Sequence, residues 1–215
     1  MELLQTSDVA HTVNEVVELG LSRGDTRVTW AGGDQFSGEL FRNDSGSIDE
    51  YCDWVRANAY SAALFDGSLL QLTFDFSHNR LMGHRLCFIP CPFNLDQKLL
   101  QETSLLEVVD LYRDNGYEDL RLVSPMRFDY GRTFDPDTHP RSHFTFQSHN
   151  CRIPVSTPVL LGNFIEFVFR FFYPIYWMLH SFIREWPTKD GSTLLSDVEF
   201  AGWFLSVPRK SLRHL

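Results

Sequence analysis

Between Tyr60 and Phe93 the hydrophobicity alternates with a period of two: Leu70, Leu72, Phe74 and Phe76 are separated by Gln71, Thr73 and Asp75. Successive side chains of an extended strand point to opposite faces, so this run predicts a strand with one face buried and the other wet. Asp66-Gly67 just ahead of it is a hairpin signal, because both central positions of a type I′ turn need positive φ. Tyr60–Phe65 is therefore expected to pair back onto Ser68–Phe76. Ser77-His78-Asn79 makes a second turn and Arg80–Ile89 a third strand, which Pro90 and Pro92 end because proline has no N–H for the ladder. The centre of the chain reads as an antiparallel meander.

On either side of it the apolar spacing is largely helical. Thr6, Ser7 or Asp8 can cap a helix over residues 6–23, with Val9, Val13, Val16, Val17 and Leu21 as its stripe and Gly24 to end it. Ser47 can cap a second helix over Ile48–Asn58, and Leu99–Asn115 carries helical spacing through Leu105, Val108, Val109 and Tyr112. Arg27–Ala31, Leu120–Tyr130 (broken at Pro125) and Ser142–Gln147 are further strand candidates, and Gly131–Arg141, with its two prolines, is a loop. Pro158–Ile183 predicts one long aromatic-rich helix kinked at Pro174, or two abutting helices, since proline removes an internal hydrogen bond and clashes with the preceding turn. Leu195–Leu205 is a candidate last helix. This order predicts an α+β fold, a single antiparallel sheet packed against helices that include the long aromatic-rich one. With 43% hydrophobic residues and 19 Phe among 215 residues, the chain has ample material for a core. No linker stands out, so residues 1–215 read as one domain with the acidic helix 6–23 at its periphery.

Charge narrows the function classes. The 19 Lys and Arg against 28 Asp and Glu give a net charge of −9, which disfavours binding nucleic acid over the whole surface, since clustered cations drive attraction to phosphate. Residues 1–50 hold ten acids and three bases, 3 − 10 = −7, so the rest is near neutral. Arg121, Arg127, Arg132, Arg141 and Arg152 make residues 121–152 locally basic, which leaves room for an anion site. The apolar stretch Val159–Ile183 carries Asn163, Glu166, Arg170 and His180, and charged residues are costly at the centre of a membrane span, so a buried helix is expected and no membrane association. Four cysteines (Cys52, Cys87, Cys91, Cys151) are too sparse for a disulfide scaffold, and Glu2, Asp8, Glu15 and Glu18 interrupt any signal-peptide pattern, so a reducing cytoplasmic setting is expected. Neither a GxxxxGK[ST] nor a GxGxxG motif occurs, and no G-x-S-x-G elbow. No cofactor and no metal are expected: His84 and Cys87, three apart on a strand, would point to opposite faces.

The segment with most chemical content joins Arg127-Phe-Asp-Tyr130 to His139-Pro-Arg-Ser-His-Phe-Thr-Phe146. If both runs are extended, Phe128 and Phe144 share one face while Arg127, Asp129, Arg141, His143 and Thr145 share the other. Pairing the strands with their aromatic faces aligned would gather the polar set on one surface, with His139 at its rim. Guanidinium groups hold phosphate bidentately, and an imidazole oriented by a carboxylate can move a proton near neutral pH. His143, Asp129 and His139 are thus candidate catalytic residues, His143 the base, Asp129 its orienter and His139 or His149 the acid, and Arg127, Arg141, Thr145 and Arg152 candidate ligand-binding residues. The competing expectation is a charged sheet face with His143 in a structural pairing. On Pro158–Ile183, Glu166 and Arg170 form an i,i+4 ion pair at the core's edge or supply a carboxylate to this site.

The segments Tyr60-Ser-Ala-Ala-Leu-Phe-Asp-Gly-Ser-Leu-Leu-Gln71, His84-Arg-Leu-Cys-Phe-Ile-Pro-Cys-Pro92, His139-Pro-Arg-Ser-His143, Cys151-Arg-Ile-Pro-Val155 and Phe164-Ile-Glu-Phe-Val-Phe-Arg-Phe-Phe-Tyr173 occur in that order. Over roughly Ile48 to Tyr173 the chain resembles a bacterial family with no assigned function, the domain of unknown function catalogued as twenty-two ninety. The resemblance implies a prokaryotic cytoplasmic protein and no reaction. The family pattern has a histidine two residues after the one matching His143, where this chain has Thr145. Members resemble accessory genes beside mobile or anti-phage loci, which makes a defence role an expectation by association.

The expected function is therefore a prokaryotic defence-system or toxin-like component that engages a phosphate-bearing ligand, nucleic acid or nucleotide, with metal-independent phosphodiester hydrolysis of the nuclease type if it is an enzyme. The alternatives are a non-catalytic scaffolding subunit bound to the product of a neighbouring gene, using exposed aromatics such as Trp177, Trp186 and Trp203, and an inhibitory partner whose acidic surface mimics nucleic acid.

Overall fold

A computed structural model describes residues 26–30, 47–77, 80–115, 120–131, 139–147 and 150–179. The fold is α+β. Its strands are β1 (Thr26–Trp30), β2 (Ala62–Ala63), β3 (Leu69–Ser77), β4 (Arg80–Ile89), β5 (Met126–Tyr130), β6 (Ser142–Phe146) and β7 (Arg152–Pro154), and its described helices are α1 (Ile48–Arg56), α2 (Gln97–Glu102), α3 (Leu105–Asp114), α4 (Leu161–Phe172) and α5 (Pro174–Leu179). The strands form one sheet in the order β1-β3-β4-β5-β6-β7, with β2 also paired to β3. The expected helices over residues 6–23 and Leu195–Leu205, and the end of the long helix beyond Leu179, lie outside the described residues. Contacts divide the chain into two compact units, residues 1–127 with 145–151 and residues 128–144 with 152–215.

In the first unit β3 and β4 pair antiparallel with Leu69 opposite Ile89 and Leu72 opposite Leu86, and the register slips between Asp75 and Phe76. Along the other edge of β3 lie β2, with Ala62 opposite Leu70, and β1, with Val28 opposite Phe74. The alternation of Leu70–Phe76 thus does form the central strand, but its polar face is not wet. Gln71 and Thr73 are only 2% and 4% exposed. Leu69, Cys87 and Ile89, on the same face, pack against Tyr51 and Val55 of α1 and Val108 and Val109 of α3. Gln71 offsets its burial by donating Nε2–H to the Ala59 carbonyl at 3.3 Å.

The hairpin ahead of β3 also departs from a two-residue turn. Leu64 N–H donates to Ser68 O and Gly67 N–H to Leu64 O, so three residues, Phe65-Asp66-Gly67, close the loop. Only Gly67, at φ +84°, is left-handed, the arrangement typical of three-residue loops. The lead-in strand accordingly shortens to Ala62–Ala63. Side chains lock the loop: Tyr51 Oη donates to Gly67 O at 2.7 Å, Asp66 Oδ1 accepts from Ser68 N, and Ser68 Oγ accepts from Cys91 N.

The helical spacing of Leu99–Asn115 is interrupted at Thr103–Ser104, giving two helices. Ser104 caps α3 in a reciprocal box with Glu107: its Oγ accepts from Glu107 N at 3.3 Å, and Glu107 Oε2 accepts from Ser104 N at 3.2 Å. The Ser104 hydroxyl and N–H hold the Glu107 carboxyl below its usual range. Arg56 pairs with Asp110, and Arg113 with Asp49 at 3.0 Å, tying α1 to α3. All four are well exposed, so each pair contributes about 0–1 kcal/mol.

Burial pushes the Cys91 thiol up to about 11 and the Tyr51 phenol well above its ordinary value. The folded chain thus keeps protons that the unfolded chain releases, Cys91 from about pH 9 upward. The stability tied to the protonated Cys91 is complete below about pH 9 and is lost as pH rises toward 11. Urea midpoints measured from pH 8 to 10.5 are expected to fall over the upper part of that window, and a flat profile would contradict the buried thiol.

In the second unit the aromatic residues gather on Phe128. Its ring lies 4.9 Å from that of Phe144 and meets Phe164 and Phe167 edge-on at 6.2 and 5.4 Å. Phe164, Ile165, Val168 and Phe169 form the buried stripe of α4, which ends at Tyr173 before Pro174 opens α5. The long helix is two abutting helices.

Candidate functional site around His143

Proline at 125 ends the irregular run before β5, and alternation then sets the side chains of Met126–Tyr130 on opposite faces. Gly131 N–H donates to Arg141 O at 3.0 Å. With the Phe128–Phe144 and Asp129–His143 contacts, this fits an antiparallel pair whose opposite residues sum to 272 (131 + 141, 128 + 144, 129 + 143). The aromatic pair and the carboxylate–imidazole pair therefore occupy opposite faces of the hairpin. On the far side of β6, Val155 N donates to Ser142 O, and Ser142 Oγ donates to the Thr157 carbonyl at 3.0 Å.

His143 Nε2 stands 3.4 Å from Asp129 Oδ2, an ion-pair distance whose geometry is not that of a hydrogen bond. Its other nitrogen, Nδ1, is 2.8 Å from the Pro140 carbonyl. His139 meets the His143 ring edge to face at 4.9 Å between centroids. His143 is only 2% exposed, Asp129 is 13% exposed at its side chain, His139 is partly exposed and Arg141 is exposed.

Among the other candidates, Arg127 and Thr145 belong to the first unit and are buried, Thr145 completely. Thr145 Oγ1 finds no hydrogen-bond partner among the described residues. Arg152 opens β7, half-buried. His149 lies outside the described residues. Glu166 Oε1 closes on Arg170 Nη1 at 3.2 Å, with Arg170 well exposed, as an edge ion pair. His84 stands opposite Phe74 and Cys87 opposite Gln71, so they are on opposite faces of β4. Among the described residues no group of three His, Cys, Asp or Glu side chains is disposed to hold a metal ion, and no helix is long and apolar enough to cross a membrane.

The group that sequence reasoning missed is the Pro140 carbonyl. Its only trace in the sequence is the three-residue spacing within His139-Pro-Arg-Ser-His143, which lets a side chain reach back to the turn before its own strand.

No curated protein and no solved structure matches the chain. A family model does, over residues 12–202, and it takes in β1 to α5 and the whole Asp129–His143 hairpin. The chain belongs to that family, described as an uncharacterized conserved protein, DUF2290.

Proposed function

We propose that this chain engages a phosphate-bearing ligand, nucleic acid or nucleotide, at Arg141 and His139 above the Asp129–His143 pair, as a prokaryotic defence or toxin-like component, and that the chemistry there is metal-independent phosphodiester cleavage. The observation that carries this reading is the grouping of a carboxylate and two imidazoles within one hairpin, beside an exposed guanidinium. The guanidinium offers bidentate contact to phosphate, and the imidazoles and carboxylate offer proton transfer. Arg127, Thr145 and Arg152 act in this reading through the strands they sit on.

The test is fluorescence anisotropy with 5′-labelled single-stranded RNA, DNA and a labelled nucleotide, followed by turnover in the presence of a chelator. Arg141→Glu is expected to weaken binding about tenfold or more, since a charged hydrogen bond is worth about 1.5–3 kcal/mol. His143→Ala is expected to abolish turnover with the melting temperature within a few degrees of wild type. A large thermal loss with binding retained would make His143 structural.

A second reading is favoured by one observation. Phe171, Ile175, Met178 and Leu179 recur at helical spacing on α4 and α5 and are each at least 60% exposed. Exposed apolar surface of this kind suits a scaffolding subunit that docks a protein partner. Co-expression with neighbouring gene products and size-exclusion chromatography separate the two: a stable hetero-complex indifferent to Arg141→Glu but lost in Ile175→Asp favours the scaffold.

A further inference from the structure

We infer that the exposed apolar face of α4 and α5 is where two copies of this chain associate, through a two-fold interface centred on Phe171, Ile175 and Met178. This deepens the docking reading above: it rests on that reading for the role of the face, and it names the occupant as a second copy of the chain. It is independent of the phosphate-ligand reading of the His143 hairpin.

Along α4 the buried stripe is Phe164, Ile165, Val168 and Phe169. The apolar character does not stop where that stripe does. Tyr173 N–H donates to Phe169 O and Trp177 N–H to Tyr173 O, each at 3.0 Å, so helical turns carry on past Pro174. Over this stretch Phe171 is 65% exposed, Phe172 41%, Ile175 62%, Met178 64% and Leu179 71%. Single exposed apolar side chains scattered over a surface are ordinary, but a contiguous group marks an interaction site. Large apolar residues that continue a buried stripe out into the open resemble a core cut in half, which is the character of a permanent dimer interface.

Area and charge select a second copy as the occupant. With about 150–250 Å² for a whole aromatic side chain and somewhat less for Ile, Met and Leu, these fractions leave on the order of 500 Å² of apolar surface. A standard interface buries about 800 Å² per partner, and in homodimers about 65% of it is apolar, which is also about 500 Å². From Phe171 to Leu179 the sequence has no Asp, Glu, Lys or Arg. In a two-fold interface one patch meets itself, so a charge near the axis would face its own copy, whereas an uncharged face is self-complementary.

The charges at the edge of the patch agree. Glu166 and Arg170 pair with each other at 3.2 Å, and the Arg170 guanidinium lies 5.7 Å from the centre of the Phe171 ring. A lipid surface fits less well, because an interfacial helix uses flanking Lys and Arg to meet anionic headgroups. Here the flanking Arg170 is already paired and the chain carries −9. Association through apolar burial is expected to persist or tighten between about 50 and 500 mM salt, because screening lowers the repulsion between two negative chains and leaves the apolar contact intact.

The test is sedimentation velocity on the full chain alone, over about 1–100 µM, where a dimer is expected to form as concentration rises. Ile175→Asp puts two carboxylates into each dimer interface and is expected to raise the dissociation constant about 100-fold or more, and Met178→Asp to do the same. Arg141→Glu is expected to leave it unchanged, which keeps this test apart from the phosphate-ligand reading. Where an aspartate variant fails to fold, Ile175→Gln takes its place and is expected to weaken the dimer about tenfold. A chain that stays monomeric throughout, or a dimer that none of the patch variants weakens, overturns the inference. A monomer that loses more than about 5 °C of melting temperature in Ile175→Asp would put another segment of the same chain on this face and overturn it too. A monomer that forms a complex with a neighbouring gene product, lost in Ile175→Asp, would overturn the second copy and leave the scaffold reading standing.

Discussion

Phe93→Ala is expected to cost about 3–5 kcal/mol of stability, the usual loss when a buried phenyl ring is deleted and its cavity stays open. Phe93 is 1% exposed and meets Tyr51 and Tyr112 edge-on at 6.3 Å each. Those two rings lie on α1 and α3, so Phe93 is one contact through which both helices hold the segment after β4, beside Cys91 and Leu95 of the same cluster. Phe93 also bridges to Leu120, and Arg121 N donates to the neighbouring Pro92 carbonyl. Collapse of the cavity is restricted because Cys91 and Leu95 are themselves buried. Urea unfolding followed by tryptophan fluorescence reads the effect, and a loss under about 1 kcal/mol would mean the site is loosely packed. Phe93→Leu, which replaces much of the ring's volume, is expected to recover part of the loss.

Phe128→Ala is expected to cost a similar 3–5 kcal/mol and to disable the candidate site as well. Phe128 is 7% exposed and is the ring on which Phe144, Phe164 and Phe167 converge. It precedes Asp129 on β5 and stands opposite Phe144, which follows His143 on β6. The aromatic cluster is therefore what fixes the hairpin strands whose other face carries the carboxylate and the imidazole. Removing the ring should raise amide exchange across Phe128–Tyr130 and Ser142–Phe144 and, on the proposed phosphate-ligand reading, weaken oligonucleotide binding through loss of the hairpin's order. Unchanged exchange in those strands would show that backbone pairing alone holds the site.

Much of this was legible because periodicity reports which face a residue occupies. The alternation from Leu70 to Phe76 marks β3, and Phe128 with Phe144 marks the alignment of β5 and β6 that sets Asp129 opposite His143. What periodicity does not report is what covers a face. Gln71 and Thr73 read as wet because they are polar, yet α1 and α3 pack over that side and Gln71 finds Ala59 O instead of water. The break at Ser104 carried its own signal, Ser104 three residues before Glu107 ahead of an apolar run, but continuous helical spacing across it masked the capping box. The three-residue loop at Phe65–Gly67 went unread because Asp66-Gly67 is equally compatible with a tighter turn until the Leu64–Ser68 bonds are seen. The tautomer of His143 depends on a backbone carbonyl, and side-chain patterns contain no information about carbonyls.

The same limit separates family from function. Membership in DUF2290 covers residues 12–202 and brings no reaction with it, so the functional reading rests on Asp129, His139, Arg141 and His143 and their mutual geometry.

Chemical-shift mapping during titration with a single-stranded RNA oligonucleotide addresses that reading most directly. Perturbations centred on Phe128–Gly131 and His139–Phe144, and abolished by Arg141→Glu, are the predicted result. Shifts confined to Phe171–Leu179, or none at saturating oligonucleotide, would contradict a phosphate site on this hairpin.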